Sequence, residues 1–242
     1  MRPALAVAML MLAAACSPAD TAQAGGQNAG GQNRGQATAP AGETILLTPE
    51  ARIPAQEAPG KKVAIFSGGC FWGVEGVFSH VKGVTSAVSG YQGGSASSAN
   101  YDSVSEGDTG HAESVRVTYD PAVVRYDQLL RIFFSVVADP TQLNRQGPDS
   151  GTQYRSALVP QSPEQDKVAR AYLAQLDAAH LWKGAVVTRV EPMKGFYPAE
   201  TYHQDFMLKN PGHPYIQYWD VAKVEGLKKL FPQAYKADFT RN

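Results

Sequence analysis

The chemistry open to this chain centres on one thiol. Cys70 stands in "FSGGCFWGVE", residues 66–75, after two glycines and before two aromatics. The chain has two cysteines, and the other, Cys16, ends an apolar N-terminal run. With Cys16 removed or modified, Cys70 has no intramolecular disulfide partner, and a leftover cysteine in an exported protein reads as a reactive thiol. The nucleophile is the thiolate: a free cysteine has a pKa of about 8.5, and a helix N-terminus lowers it through its N–H groups and dipole. Phe71, Val74, Phe78 and Val81 recur at helical spacing, which places Cys70 at or just before a first helical turn. Gly68 and Gly69 permit a tight turn and close approach by a second molecule. Phe71 and Trp72 set apolar surface beside the sulfur. This suits a nucleophile next to a pocket for an apolar group. A lone Cys beside Phe and Trp equally suits a buried small hydrophobe, and Cys70 alone does not separate the two readings.

Other loops carry groups that would complete a site. "GDTGHAE" ends in Glu113 at the start of an alternating run. A carboxyl among apolar walls holds its proton at neutral pH and can act as a general acid; a Glu at a strand edge is also common. "NYDS" places Tyr101 in a Gly/Ser-rich loop, and "GPDSGTQYRS" places Asp149 and Tyr154 in another. Phenol hydroxyls donate well to a polarised oxygen, though each Tyr taken singly fits a residue covering the core. The five histidines, at 80, 111, 180, 203 and 213, lack the spacing of a metal site. No metal and no bound cofactor is expected.

These residues need elements to hold them. "KKVAIFS" (61–67), "VTSAVSGY" (84–91) and "AESVRVTY" (112–119) read as strands, with a Gly/Ser/Asn-rich loop at 92–111. "YDQLLRIFFSVV" (126–137) reads as a helix, followed by a long loop and a short strand in "YRSALVP". Ser162-Pro163-Glu164-Gln165 resembles a capping box with Pro at the first helical position. That helix should run to about Trp182, with Gly184 beyond its end. "AVVTRVEP" reads as a further strand and "PAETYHQDFMLKN" as a helix, with Pro- and aromatic-rich covering structure after it. The order β-α-β-β-α-β, then α-β-α, predicts an α+β two-layer sandwich: a mixed or antiparallel sheet around a ferredoxin-like βαββαβ core.

Composition bounds the rest. The chain has 242 residues, 43% hydrophobic, with 22 basic and 22 acidic side chains. That is enough for one packed domain, and the absence of basic or acidic runs argues against a nucleic-acid partner. Residues 1–15 carry Arg2 and the run "ALAVAMLMLAAA", the length of a signal h-region. "AAAC" then resembles a bacterial lipoprotein signal, which would attach lipid to Cys16; ordinary cleavage after Ala15 or Ala24 is the alternative. Residues 16–42, with "GGQN" repeated, cannot bury a core and read as a disordered tether. The expectation is an exported, periplasmic domain at 43–242, monomeric, touching a membrane only through a lipid, possible at Cys16, in the outer membrane.

Taken together, "GGCFWGVE", "GYQGG", "GDTGHAE", "GPDSGTQYRS" and "YHQDF…NPGHPYI" resemble the A-type methionine sulfoxide reductases, peptide-methionine (S)-S-oxide reductases, from about residue 61 to 231. The resemblance implies that Cys70 is the catalytic cysteine and Glu113 the acid that protonates the sulfoxide oxygen. It implies that Phe71 and Trp72 hold the methyl group, that Tyr101 and Tyr154 bond the oxygen, and that Asp149 helps to orient substrate. Reduction of the S epimer of methionine sulfoxide, free or in envelope proteins, would leave a sulfenic acid on Cys70. Two departures are visible. Ala138 stands where the family often has His, and no cysteine follows position 70, so the resolving cysteines of many relatives are missing. Regeneration would then fall to an external thiol, a thioredoxin-like protein or a small molecule. A thiol peroxidase, or a tethered binding lipoprotein with Cys70 as packing, are the other classes; neither needs Phe71-Trp72 together with a poised Glu113.

Overall fold

The computed structural model describes residues 45–242. The signal run, the 16–42 tether and Cys16 lie outside the described residues. Strand β1 (Lys62–Ser67) leads through Gly68 and Gly69 into α1 (Phe71–Ser79), which returns to β2 (Val84–Gln92). The next loop holds a short helix, α2 (Tyr101–Ser105), before β3 (Ala112–Tyr119). Helix α3 (Tyr126–Ile132) continues as a π turn, Phe133–Val137. A two-residue hairpin follows, β4 (Arg145–Gln146) and β5 (Asp149–Ser150), then β6 (Ala157–Val159) and α4 (Pro163–Ala179). The chain closes with β7 (Arg189–Val190), β8 (Phe196–Pro198), α5 (Phe206–Lys209) and α6 (Val221–Leu230).

Six strands form one sheet in the order β7-β6-β1-β3-β2-β8. All neighbours are antiparallel except β6 and β7, so the sheet is mixed and the fold is α+β. Alternation decides the layers. Ala64, Phe66, Ala87, Val115 and Val117 occupy one face, all at 0% exposure, and Phe66 packs its ring on Phe78 of α1 and Phe133. Glu113 and Tyr91 lie on this same face, directly opposite each other across β3 and β2. The helices therefore cover the face from which Glu113 projects, and α1 begins over it.

Four expectations are corrected. The 185–192 strand shrinks to Arg189–Val190, because the N–H groups of Val187 and Thr188 donate to the Pro140 carbonyl instead of to a ladder. Helix α4 stops at Ala179, with His180 rather than Gly184 in the left-handed region at φ 48°. The 198–210 helix breaks into a 3-10 turn (Thr201–His203) and α5, since Asp205 between them sits at φ 53°. In the tail, read as covering structure, α6 forms over VAKVEGLKKL, a run with neither proline nor aromatic, and buries Ala222 and Leu227. The Ser162 cap stands: its hydroxyl accepts the Gln165 N–H, and Pro163 is the first helical residue.

Candidate active site

Cys70 is the N-cap residue of α1 and is 1% exposed. It gets there because Gly69 adopts φ +86°, a conformation that side chains rarely enter. A Cβ on Gly69 would also meet Cβ of Gln146 at 2.6 Å, so the 139–151 loop presses on the turn before the thiol. The sulfur itself makes no capping bond to the first turn. Of the first-turn N–H groups, that of Phe71 donates to Glu113 Oε2 at 2.9 Å.

Glu113 is 2% exposed. Burial pushes its carboxyl well above the usual carboxylate range; the Phe71 N–H opposes that shift, and the Asp149 carboxylate nearby adds to it. A carboxyl in this environment keeps its proton to higher pH than an exposed glutamate, next to the residue that follows the thiol. Asp149, on β5, is equally buried and accepts the Tyr215 hydroxyl.

The aromatic side of the site is built around Trp72. Its indole N–H donates to His203 Nδ1 at 3.1 Å. Phe206 stacks on it at 3.7 Å and 6°, and Tyr215 and His213 meet it edge-on. The Phe71 ring lies 5.0 Å from His203 and 5.9 Å from Tyr91, and the Tyr101 ring 4.6 Å from His203. Burial lowers the His203 pKa to about 4, so its imidazole is neutral and free to accept the indole N–H. Tyr154 is buried at the end of a 3-10 turn (Thr152–Tyr154) that packs against β3.

Hydrogen bonds, ring contacts and charge thus join Phe71, Glu113, Asp149, Trp72 and Tyr101, with Cys70 next to Phe71 in the chain. Glu113 touches Phe71 and feels Asp149; Asp149 reaches Trp72 through Tyr215; Trp72 and Tyr101 meet at His203; and Cys70 precedes Phe71 in the chain. The sequence reading assigned no role to His203, Phe206, Tyr215, Tyr91 or Glu200. The signal for three of them was present, since "YHQDF…NPGHPYI" concentrates aromatics and histidines in a tail that forms little regular structure.

Comparison with known proteins agrees with this geometry. The family model described as "Peptide methionine sulfoxide reductase" matches residues 62–235. A protein of Mesorhizobium japonicum, "Peptide methionine sulfoxide reductase MsrA 2", is 58% identical over 178 residues, covering 74% of this chain and 91% of its own length. A protein of the same name from Synechocystis is 49% identical over 180 residues, covering 74% and 84%. Among solved structures, the reduced form of Mxr1 from Saccharomyces cerevisiae is 34% identical with a TM-score of 0.55, covering 66% of this chain and 91% of that one. Methionine sulfoxide reductase A of Corynebacterium diphtheriae is 32% identical with a TM-score of 0.54, covering 72% and 88%. A match that spans the sheet, the Cys70 turn and the aromatic tail leaves one conclusion: this chain belongs to the peptide methionine sulfoxide reductase family and is an oxidoreductase.

Proposed function

We propose that the chain reduces the S epimer of methionine sulfoxide through a sulfenic acid on Cys70, and that an external thiol regenerates it. The observation that carries this reading is the buried Glu113 carboxyl, raised in pKa and bonded to the residue after the thiol. The Cys70 thiolate attacks the sulfoxide sulfur while Glu113 gives its proton to the oxygen. The oxygen passes to Cys70, methionine leaves as the thioether, and two electrons have moved from the cysteine sulfur to the substrate. Tyr101 and Tyr154 supply donors for the oxygen, Asp149 orients the substrate, and Phe71 and Trp72 wall the methyl. A fixed methyl wall accepts one hand of a chiral sulfur; which hand follows from the family resemblance. The order β6-β1-β3-β2, with each strand antiparallel to its neighbours and α1 and α3 as connections, supports the ferredoxin-like reading of the core.

Regeneration is intermolecular in this reading, because Cys70 is the one cysteine among the described residues. A donor thiol attacks the sulfenic sulfur and releases water. A second thiol then cleaves the mixed disulfide and restores Cys70. The apolar run at 4–15 and the tether after it support export to the periplasm, with Cys16 as a lipid attachment point, and repair of oxidised envelope proteins as the task.

One turnover without reductant tests the reading. Racemic methionine sulfoxide should yield one equivalent of methionine per enzyme, consume the S epimer, and leave a dimedone adduct on Cys70 by mass spectrometry. Equal loss of both epimers, or an intramolecular disulfide in the mature protein, counts against it.

A further inference from the structure

Glu200 joins three parts of the site. Its Oε1 accepts the backbone N–H of Tyr101 at 2.9 Å, and its Oε2 accepts the Tyr91 hydroxyl at 2.8 Å. Its own carbonyl accepts the His203 N–H at 2.9 Å, and His203 in turn accepts the Trp72 indole N–H. Burial would raise the Glu200 carboxyl, but the Tyr101 N–H, its own backbone N–H and the Tyr91 hydroxyl together hold the group below its ordinary value.

The segment being held needs holding. Helix α2 has five residues inside the Gly/Ser-rich 92–111 loop, too short to persist unaided. Its N-cap, Asn100, accepts the Ser103 N–H on its side chain and the Val104 N–H on its carbonyl, both at 3.0 Å. Fixing the Tyr101 N–H fixes the start of that helix and so the direction of the Tyr101 ring, which rests on His203. Tyr91, the other donor, is anchored in β2 opposite Glu113.

We propose that Glu200 is a positioning residue for sulfoxide reduction: its carboxylate ties the start of α2 at Tyr101 to Tyr91 and so aims the Tyr101 ring, which rests on His203 beside the Trp72 indole. This rests on the reading above that Tyr101 faces the sulfoxide oxygen and Trp72 its methyl.

A kinetic double-mutant cycle on the full chain tests it, with methyl p-tolyl sulfoxide as substrate and dithiothreitol as reductant. Glu200→Ala should cut kcat/KM by about tenfold or more, chiefly through KM, the effect of losing hydrogen bonds to a charged group. Glu200→Gln, which keeps an acceptor for the Tyr101 N–H, should lose clearly less. The combined E200A and Y101F variant should be no worse than the poorer single variant, because Glu200 acts through Tyr101. Losses that multiply, or an E200A protein at wild-type kcat/KM, overturn the proposal. If E200A does not fold by circular dichroism, the same cycle is read with E200Q. Failure of the wild-type chain to reduce any sulfoxide removes the underlying reading, and this proposal with it; a normal wild-type rate with multiplicative losses removes this proposal alone.

Discussion

The Phe71 amide donates to Glu113 Oε2 at 2.9 Å, so the first backbone group of α1 and the buried carboxyl hold one another. The bond orients the carboxyl, and burial raises its pKa. Glu113→Gln retains an acceptor for the Phe71 N–H and removes the proton. We expect a folded protein whose sulfoxide reduction is slower by about 10²–10⁴-fold, the range for general acid catalysis. The wild-type rate should fall as pH rises through the raised Glu113 pKa, and the residual rate of the variant should lose that limb. A variant with the same pH limb as wild type would reassign the acid.

The glycines around Cys70 carry a second expectation. Gly69 combines φ +86° with Gln146 Cβ 2.6 Å from any added Cβ. At Gly73 an added Cβ would lie 2.2 Å from Asp220 Oδ1, which forms a buried ion pair with Lys223 at 3.2 Å. Gly69→Ala should cost about 1–3 kcal/mol from backbone strain. Gly73→Ala should cost more, about 3–5 kcal/mol if the ion pair is broken. Urea unfolding reads both; a Gly73→Ala protein as stable as wild type would mean that α6 slides away at little cost.

How much of this was legible follows from where periodicity survives. β1, α1, β2 and β3 each have a clean local period, so the junction that holds Cys70 and the strand that carries Glu113 could be read directly. The tail could not. Phe206, His213 and Tyr215 reach Trp72 through short turns, π segments and left-handed residues such as Asp205, none of which has a sequence period. The first-turn N–H groups illustrate a different limit. Helix spacing says that Phe71 offers an N–H, but only the fold says that Glu113 takes it.

Two buried groups should shape stability against pH. Burial raises the Glu75 carboxyl on α1 from 4.5 to about 8; the Asp205 N–H opposes this and the Asp205 charge adds to it. The folded state therefore holds that proton more tightly than the unfolded chain, and stability falls as pH rises from about 4.5 to 8. Burial lowers His203 from 6.5 to about 4, so stability falls as pH drops from 6.5 toward 4. Between about 4.5 and 6.5 these two slopes cancel each other. Above 6.5 Tm should decline, the raised Glu113 adding to the decline as it does from about 4.5 upward, and Glu75→Gln should make that decline shallower. Melting curves of equal slope for both proteins above pH 6.5 would show that Glu75 does not titrate there.

Asp149 offers the sharpest test of how the acid is tuned. It receives the Tyr215 hydroxyl, and its negative charge is one of the influences that raise Glu113. Asp149→Asn removes the charge and keeps an acceptor for Tyr215. With that repulsion gone, Glu113 should ionise more readily, so its pKa falls and the alkaline limb of kcat/KM moves to lower pH. The reverse holds for loss of substrate orientation alone, which would lower the rate at every pH without moving the limb. Tyr215→Phe separates the two further. It leaves the Asp149 charge in place and strips one hydrogen bond from it, so the limb should stay where it is in wild type while KM rises. Profiles of kcat/KM for the three proteins between pH 5 and 10 decide the matter. An Asp149→Asn limb that coincides with wild type would mean that burial alone sets the Glu113 proton and that Asp149 serves only to hold the substrate and Tyr215.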